Sequence, residues 1–334
     1  IGTSRKEANI WYFGENAGLD FNTSPPTALT DGQLDTVEGC ASISDTNGDL
    51  LFYTDGITVW NANHTIMPNG TGLNGHSSAT QSAIIVPKPN NEMIYYIFTV
   101  AARFEDEGLQ YSEVDMRLDG GLGAINTNKN VPLVTPVSEK VTATASTIPT
   151  EYWVVSHKAF SDEFVSYNIT NTGINTTPVI SAVGSFITGI ALNSLGQLKI
   201  SPDGTKLAMA TPGDYREVQL FDFNATTGKV TNARTILDTN NDPSLPTGTA
   251  PYGIEFSPNS NLLYASLLGT GIYQFDVNAG ATQNIINSSV QNALKANNKK
   301  VNEEVGRYKR EKFNISIGDE LPAGVLKLAK VYLV

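Results

Sequence analysis

A pair formed by a bulky apolar residue and an Asn or Asp recurs along the sequence at an almost constant interval. The five copies are Trp60-Asn61, Val114-Asp115, Tyr167-Asn168, Phe221-Asp222 and Phe275-Asp276. Their polar members are 54, 53, 54 and 54 residues apart. Self-similarity at a fixed period indicates a repeat architecture in which each unit packs against its neighbours. This period constrains the fold more than any other feature of the chain.

Each repeat holds the elements of one small antiparallel sheet. The recurring pair is predicted to end a third strand, which follows a second apolar run (50–53, 94–98, 152–155, 207–210 and 262–265). A first, alternating run lies upstream (40–44, 83–86, 141–145, 198–201 and 254–257). Turn sequences such as Ser201-Pro202-Asp203-Gly204 separate the first and second runs, and a weaker fourth strand follows each pair. The 29 Gly and 16 Pro suit many short strands joined by tight turns.

Four strands make a sheet with two apolar faces, which a single sheet cannot bury. Radial stacking of several such sheets solves this problem, so we predict an all-β fold, a β-propeller of four-stranded antiparallel blades. A right-handed parallel β-helix needs a shorter rung and is less favoured. Long helices are not expected, since 290–308 is the one helix-compatible stretch.

We predict a single propeller domain over residues 1–334. Residues 1–36 form a partial blade that lacks its first strand, 37–291 form five blades of about 54 residues, and 323–334 start a further blade. Ring closure by both chain termini then gives seven blades and leaves no free sheet edge. Residues 292–322 break the period, either as an irregular insertion in a blade or as uncertain sequence at a poorly defined end.

Charge and chain ends bear on location and partners. The net charge of −11 argues against a nucleic-acid partner, which needs a basic face. No apolar stretch is long enough for a transmembrane segment. The chain begins at Ile1 without an initiator Met, as after removal of a signal peptide, and we expect an exported protein.

Several segments resemble the opening of large exported proteins of gliding Bacteroidetes. They are 9–21 (NIWYFGENAGLDF), 38–45 (EGCASISD), 51–56 (LFYTDG), 75–82 (GHSSATQS) and 87–89 (PKP). Those proteins are cargo of the type IX secretion system and are described as gliding-motility-associated or as carrying a type B sorting domain. The resemblance implies an extracellular or outer cell-surface location. It stops near residue 290, and 325–330 lack the family's Pro-Asp-Gly turn.

Two of the three histidines are candidates for a functional site. His76 lies in a loop entering a first strand, and His157 follows a second strand, so both can face one end of a propeller. With Glu38, just before the first inner strand, they could bind a metal or act as an acid/base pair. The competing interpretation is that they only form hydrogen bonds within their loops.

Calcium and sugars are the other candidate ligands. Asp238, Asn240 and Asp242 alternate like the start of a calcium loop, but an EF-hand's later Gly and Glu are absent. Asp55 and Arg103, with nearby aromatic residues, could line a sugar-binding rim, although core packing is the favoured role for the aromatics.

The sequence supports three hypotheses for function. The favoured one is a non-catalytic binding or adhesion module of the cell surface, with a surface glycan or protein as ligand. The second is a lactonase- or lyase-like propeller enzyme with a metal at the channel mouth. The third is a secretion cargo passenger bound to the export machinery.

Overall fold

The computed structural model describes residues 6–268 and 270–291, which form 25 strands in six antiparallel sheets. Sheet 1 contains β1 (Ile10–Phe13), β2 (Ala17–Asp20) and β3 (Thr27–Leu29). Sheet 2 contains β4 (Ala41–Ser44), β5 (Leu50–Thr54), β6 (Thr58–Asn61) and β7 (Ile66–Thr71). Sheet 3 contains β8 (Ala83–Lys88), β9 (Asn91–Val100), β10 (Leu109–Asp115), β11 (Ala124–Ile125) and β12 (Val131–Val134).

The other three sheets continue in chain order. Sheet 4 contains β13 (Val137–Ala145), β14 (Tyr152–Lys158), β15 (Glu163–Thr170), β16 (Gly173–Ile174) and β17 (Val179–Ala182). Sheet 5 contains β18 (Leu198–Ile200), β19 (Lys206–Thr211), β20 (Glu217–Asn224) and β21 (Lys229–Asp238). Sheet 6 contains β22 (Pro251–Phe256), β23 (Leu262–Leu267), β24 (Gly271–Asp276) and β25 (Val290–Gln291), with helix α1 (Thr282–Asn287) between the last two.

The strands of sheets 2 to 6 pair in chain order, from a first strand at one edge to the last at the other. This order follows from the short connections, because strands joined by tight turns pair antiparallel with their neighbours. Sheets 2, 5 and 6 have the predicted four strands. In sheets 3 and 4 two short strands share the outer position, β11 with β12 and β16 with β17.

Local side-chain hydrogen bonds form the turns that the sequence predicted between first and second strands. The Ser201 hydroxyl donates to Asp203 Oδ1 at 2.6 Å, and Ser257 donates to Asn259 Oδ1 at 2.7 Å in the corresponding turn of sheet 6. Gly204 has a φ of 69°, which glycine adopts without steric cost.

The recurring polar residue lies on the third strand of each unit. Asn61, Asp115 and Asp276 end β6, β10 and β24, where each side chain accepts the backbone N–H two residues later. Asn168 and Asp222 instead lie two residues before the ends of β15 and β20, so the predicted strand ends are wrong there. The Asp222 carboxylate binds side chains on β21 rather than capping a turn, and β20 continues past it.

Buried hydrophobic side chains fill the spaces between consecutive sheets. Five such clusters join sheets 1 and 2, 2 and 3, 3 and 4, 4 and 5, and 5 and 6. Between sheets 4 and 5, for example, the Phe164 and Phe221 rings meet edge to face with centroids 4.9 Å apart. Each large side chain buried in this way contributes about 2–3 kcal/mol. The stacking therefore buries both faces of sheets 2 to 5.

Contacts between sheets far apart in the chain show that the stack is curved into a ring. Gln81, before β8 of sheet 3, is hydrogen-bonded to both backbone groups of Leu198 in sheet 5, at 2.8 and 3.1 Å. Tyr252 of sheet 6 donates to Glu38, just before sheet 2, at 2.9 Å. Such contacts require the first strands to surround a common axis. The fold is a β-propeller.

The predicted count of seven blades is wrong for the part of the chain that is described, which forms six. Of the segment 1–36, predicted as a partial blade, residues 10–29 contain a separate three-stranded sheet, β1 to β3. The segments 292–322 and 323–334, predicted as an insertion and as the start of a further blade, lie outside the described residues. The sequence count placed a blade on the C-terminal segment by pattern alone.

Helical structure is short throughout the described ranges. Besides α1 there are single 3-10 turns at Asp119–Gly121 and Ala191–Asn193. Within residues 6–268 and 270–291, no helix has both the length and the apolar character needed to cross a membrane.

Candidate functional site

Two sets of loops meet at one end of the ring. Antiparallel neighbours reverse direction, so the loop before a first strand and the loop after a second strand lie at the same end of a sheet. We call this end the loop face; its segments are 30–40, 55–57, 72–82, 101–108, 159–162, 183–197, 212–216 and 239–250. Every candidate residue predicted from the sequence lies on these loops or on a strand end beside them.

Residues of sheets 2, 3, 5 and 6 meet in a hydrogen-bonded group where the ring axis reaches the loop face, and we call this group the channel mouth. The Tyr252 hydroxyl donates to Glu38 Oε1 at 2.9 Å and lies 2.8 Å from the Thr80 hydroxyl. Thr80 precedes β8, and its hydroxyl accepts the backbone N–H of Gly196, before β18, at 3.3 Å. A carboxylate, a phenol and an alcohol are thus held together by residues from separate parts of the chain.

A second carboxylate, that of Glu139 on β13, lies fully buried behind this group. Its Oε2 accepts the backbone N–H of Thr80 at 2.9 Å, and its Oε1 accepts the N–H of Arg103 at 2.9 Å and the Ser194 hydroxyl at 3.3 Å. Charge-assisted bonds of this kind are about twice as strong as neutral ones. Glu139 therefore joins the loops of sheets 3 and 5. Glu38 is the carboxylate that lies at the mouth.

Lys140, the next residue, is also fully buried. Its ammonium donates to the carbonyl oxygens of Ser194 and Gly196, at 3.0 Å each, and to that of Leu195. Burial lowers the pKa of Lys140 to about 7, against the opposing effect of the Glu139 charge. The side chain fastens the loop before β18 to the inner strand of sheet 4.

Glu38 is the partly buried carboxylic acid of the channel mouth. Desolvation raises its pKa, an effect strengthened by the charge of Glu139 and opposed by the Tyr252 hydrogen bond, His76 and Arg103. Its Oε2 is buried and has no hydrogen-bond partner among the described residues. Buried polar atoms in native proteins are normally paired. This oxygen therefore has hydrogen-bonding capacity that the described residues leave unused.

The two candidate histidines have different surroundings. His76 lies close enough to Glu38 to affect its pKa, and its Nδ1 accepts the Ser78 N–H at 3.0 Å. His157 is fully buried against the edge of Phe164, and burial lowers its pKa to about 3. Its Nδ1 lies 2.8 Å from the Lys158 carbonyl oxygen. The structure thus brings His76, but not His157, into the surroundings of Glu38.

Asp55, predicted as part of a sugar-binding rim, caps a turn. Its Oδ1 accepts the backbone N–H groups of Ile57 and Thr58 at 2.8 and 2.7 Å. Arg103 is exposed on the loop after β9, beside the mouth.

The predicted calcium residues follow β21. Asp238 Oδ1 accepts the Asn240 N–H at 3.0 Å, and Asp242 Oδ1 accepts the Ser244 N–H at 2.9 Å. These bonds are those of ordinary Asx turns. In the described ranges no three His, Cys, Asp or Glu side chains are grouped as metal ligands would be.

Sequence reasoning missed Thr80, Glu139, Lys140 and Tyr252. A usable signal existed for two of them, because Glu139 and Lys140 lie between Val137 and Val141, and charged residues are almost never fully buried unless they have partners. Tyr252 gave no local signal, since it contacts Thr80 at a separation of 172 residues.

Comparisons with known proteins do not assign this chain to a family. No family model matches the sequence. Short segments resemble RNA polymerase subunit beta: 50% identity over 48 residues for the Cytophaga hutchinsonii protein and 65% over 34 residues for that of Flavobacterium psychrophilum. These matches cover 14% and 10% of this chain and only 4% and 3% of the polymerase subunits.

Solved structures with a similar backbone include propellers. The β-propeller domain of Cps50 (Swd1) from Myceliophteria thermophila has 10% identity and a TM-score of 0.47, over 84% of this chain and 86% of that one. Hsv2 of Kluyveromyces lactis has 10% identity and a TM-score of 0.45, over 87% and 77%. A luciferin-regenerating enzyme has 13% identity and a TM-score of 0.42, over 87% and 78%.

Proposed function

We propose that this chain is a non-catalytic binding module that acts at the outer cell surface or in the extracellular space. Its ligand, a glycan or a protein of that surface, donates hydrogen bonds into the channel mouth. The observation that carries this proposal is the buried, unpartnered Oε2 of Glu38 beside Tyr252 and Thr80.

The hydrogen bonds at the channel mouth fix the position of the Glu38 carboxylate before a ligand binds. Glu38 is fixed by Tyr252, and Tyr252 by Thr80, so a ligand meets an acceptor whose position is already set. A preorganised site loses little side-chain entropy when the ligand binds. Sugar hydroxyls and protein N–H groups are donors that suit a carboxylate oxygen.

Binding of the purified chain to a glycan array and to immobilised outer-membrane proteins tests this function. We expect Glu38→Gln to weaken the strongest interaction by about tenfold or more, because hydrogen bonds to a charged acceptor contribute about 1.5–3 kcal/mol. Asp119→Asn, an acid-to-amide change beyond the third strand of sheet 3, is the matched control and should bind like the unaltered protein. Equal binding by Glu38→Gln and the unaltered chain would contradict the proposed mouth site.

Export by a type IX secretion system is part of the same proposal and is supported by the sequence resemblance of segments such as 9–21 and 75–82. We expect the protein in the medium or on the cell surface of a gliding bacterium that produces it, and retained inside the envelope when the secretion system is deleted. Fractionation and surface labelling measure this. An unchanged distribution in the deletion strain would exclude this route.

A propeller enzyme is the second candidate, favoured by the raised pKa of Glu38. A carboxyl group with a raised pKa suits general acid/base catalysis near neutral pH. Hydrolysis or elimination of lactones and uronides by the unaltered chain, lost in Glu38→Gln, would favour this candidate over a binding module.

A further inference from the structure

The loop face is strongly acidic. Its eight segments together contain ten Asp or Glu residues and two Arg, Arg103 and Arg216, with no Lys. Three of the acids are consecutive and exposed, Glu105, Asp106 and Glu107, on the loop after β9. A surface of one charge sign attracts partners of the opposite sign and repels others.

The same face exposes large apolar side chains on the loops of sheets 4 and 5. Phe160 is 50% exposed, Phe186 52%, Ile190 46% and Leu192 58%. We call these four residues the apolar belt. Single exposed hydrophobic residues are common, but several together on one face mark an interaction surface.

Contacts between the loops position part of the belt. The Phe160 ring packs on Phe104, with centroids 5.3 Å apart, and lies over the backbone of Gly189. The Ile187 N–H donates to the Ser161 carbonyl at 2.8 Å, which joins the loops of sheets 4 and 5. Phe160 and the neighbouring segment 187–189 are therefore held close together.

Three residues in or beside the belt have unusual backbone conformations. Arg103, Phe104 and Phe160 have φ values of 51°, 66° and 54°, in the left-handed region that bulky residues rarely adopt. Strained backbone persists only where the surroundings fix it. Here the Arg103 N–H is fixed by the buried Glu139 carboxylate.

We propose that the apolar belt docks a peptide segment that carries both apolar side chains and Lys or Arg residues. The apolar side chains pack on Phe160, Phe186, Ile190 and Leu192, and the basic groups face Glu105, Asp106 and Glu107. Charge selects this occupant: an anionic bilayer and a second copy of this acidic chain would both be repelled by the loop face. The belt and the channel mouth share segment 183–197 but use different side chains, and the belt does not require a ligand at the mouth.

Fluorescence anisotropy with a labelled peptide, Gly-Leu-Lys-Phe-Lys-Leu-Gly, tests the proposal. We expect saturable binding that weakens as salt rises, and no measurable binding of two control peptides, one with Glu replacing Lys and one with Ser replacing Leu and Phe. Phe186→Ser with Leu192→Ser should weaken binding by about tenfold or more, as for anchors of an interface. Both side chains are more than half exposed, so folding should be unaffected.

Leu118→Ser, at a site of similar exposure beyond the third strand of sheet 3, is the matched control and should leave the affinity within about twofold. Replacing Glu105, Asp106 and Glu107 by their amides should remove most of the salt dependence. Equal binding of the Lys and Glu peptides, or an unchanged affinity in the double variant, would overturn the proposal. Self-association abolished by the double variant would also overturn it, by making a second copy the occupant. Glu38→Gln should bind this peptide normally, which separates the proposal from the mouth site.

Discussion

Glu139 and Lys140 show how a polar inner strand is stabilised at the residue scale. Both side chains are fully buried, and each forms hydrogen bonds with groups of neighbouring sheets. Glu139 accepts backbone and hydroxyl hydrogens, and Lys140 donates to the carbonyl oxygens of residues 194–196. Such burial is tolerated only when most of the hydrogen-bonding capacity is used. The pair thus connects the inner strand of sheet 4 to sheets 3 and 5.

Lys140 should give the protein a stability that rises with pH in the alkaline range. Its folded pKa is about 7, well below the ordinary value of 10.5, so from about pH 7 to 10 the unfolded chain binds more protons than the folded one. The free energy of unfolding then increases with pH by at most about 1.4 kcal/mol per unit from this group. Urea denaturation at several pH values measures the slope.

Lys140→Met, which cannot titrate, should be less stable at every pH and should lose this part of the slope. The tyrosines, whose pKa values burial raises, titrate in both proteins, so the difference between the two slopes isolates Lys140. Identical slopes would show that Lys140 has an ordinary pKa.

How much of the site the sequence reveals depends on how far apart its residues lie. Glu38 and His76 could be found because polar residues before an inner strand face the loop end in any propeller. Tyr252 could not, because its role depends on ring closure that brings residues 80 and 252 together. Asp55 was misleading, since a carboxylate that caps a turn and one that binds a ligand look alike in sequence.

At the scale of elements, backbone hydrogen bonds join the inner strands of neighbouring sheets at the loop face. Gly39 donates to Ala79 at 3.1 Å, Gln81 to Glu139 at 3.1 Å, and Gln197 to Tyr252 at 3.0 Å. These bonds fix the sheets at a set distance around the channel. At the first of them the two backbones approach too closely for any side chain.

Gly39→Ala should therefore destabilise the protein by about 2–3 kcal/mol, as overpacking does. A Cβ there would lie 2.1 Å from the Ser82 backbone nitrogen and 2.8 Å from the Ala79 oxygen. Gly253→Ala is the control, because its nearest neighbour would be the Ser266 hydroxyl, a side-chain atom that can move. Chemical denaturation compares the two, and equal losses would argue against the close approach of sheets 2 and 3.

Sequence predicts elements best where their causes are local. The hairpins at Asp203 and Asn259 were predictable because their side chains form the turn. The start of β13 was not: the apolar pattern began at Val141, whereas the strand starts at Val137 and includes a register shift before Val141. Glu139 and Lys140, near the start of this strand, form hydrogen bonds with other sheets, and a local sequence pattern cannot show such contacts.

For the whole molecule, stability comes from sheets that stack only on their neighbours. In such architectures each interface contributes separately, and losing one weakens the units on both sides. The repeat period predicted this arrangement. The predicted total of seven blades was wrong for the described ranges, which form six, because the count assigned a blade to residues 323–334, outside those ranges.

Phe221→Ala, at the interface of sheets 4 and 5, should lower the free energy of unfolding by about 3–5 kcal/mol, since it empties a fully buried site. Phe186→Ala, at an exposed site, should change it by less than about 1 kcal/mol. Guanidinium denaturation followed by tryptophan fluorescence and circular dichroism measures both. We expect the two probes to agree for Phe221→Ala; separate transitions would show that the sheets unfold independently.

The position of the proposed recognition residues at one end of the ring decides how this protein can be immobilised. Hairpins such as 45–49 and 201–205 are tight and carry none of the residues assigned to recognition. A fluorophore, a biotin or a fusion partner attached there would leave the opposite end facing the solution. Attachment through 183–197 would mask it, and a sensor built that way would lose its signal although the protein remained folded.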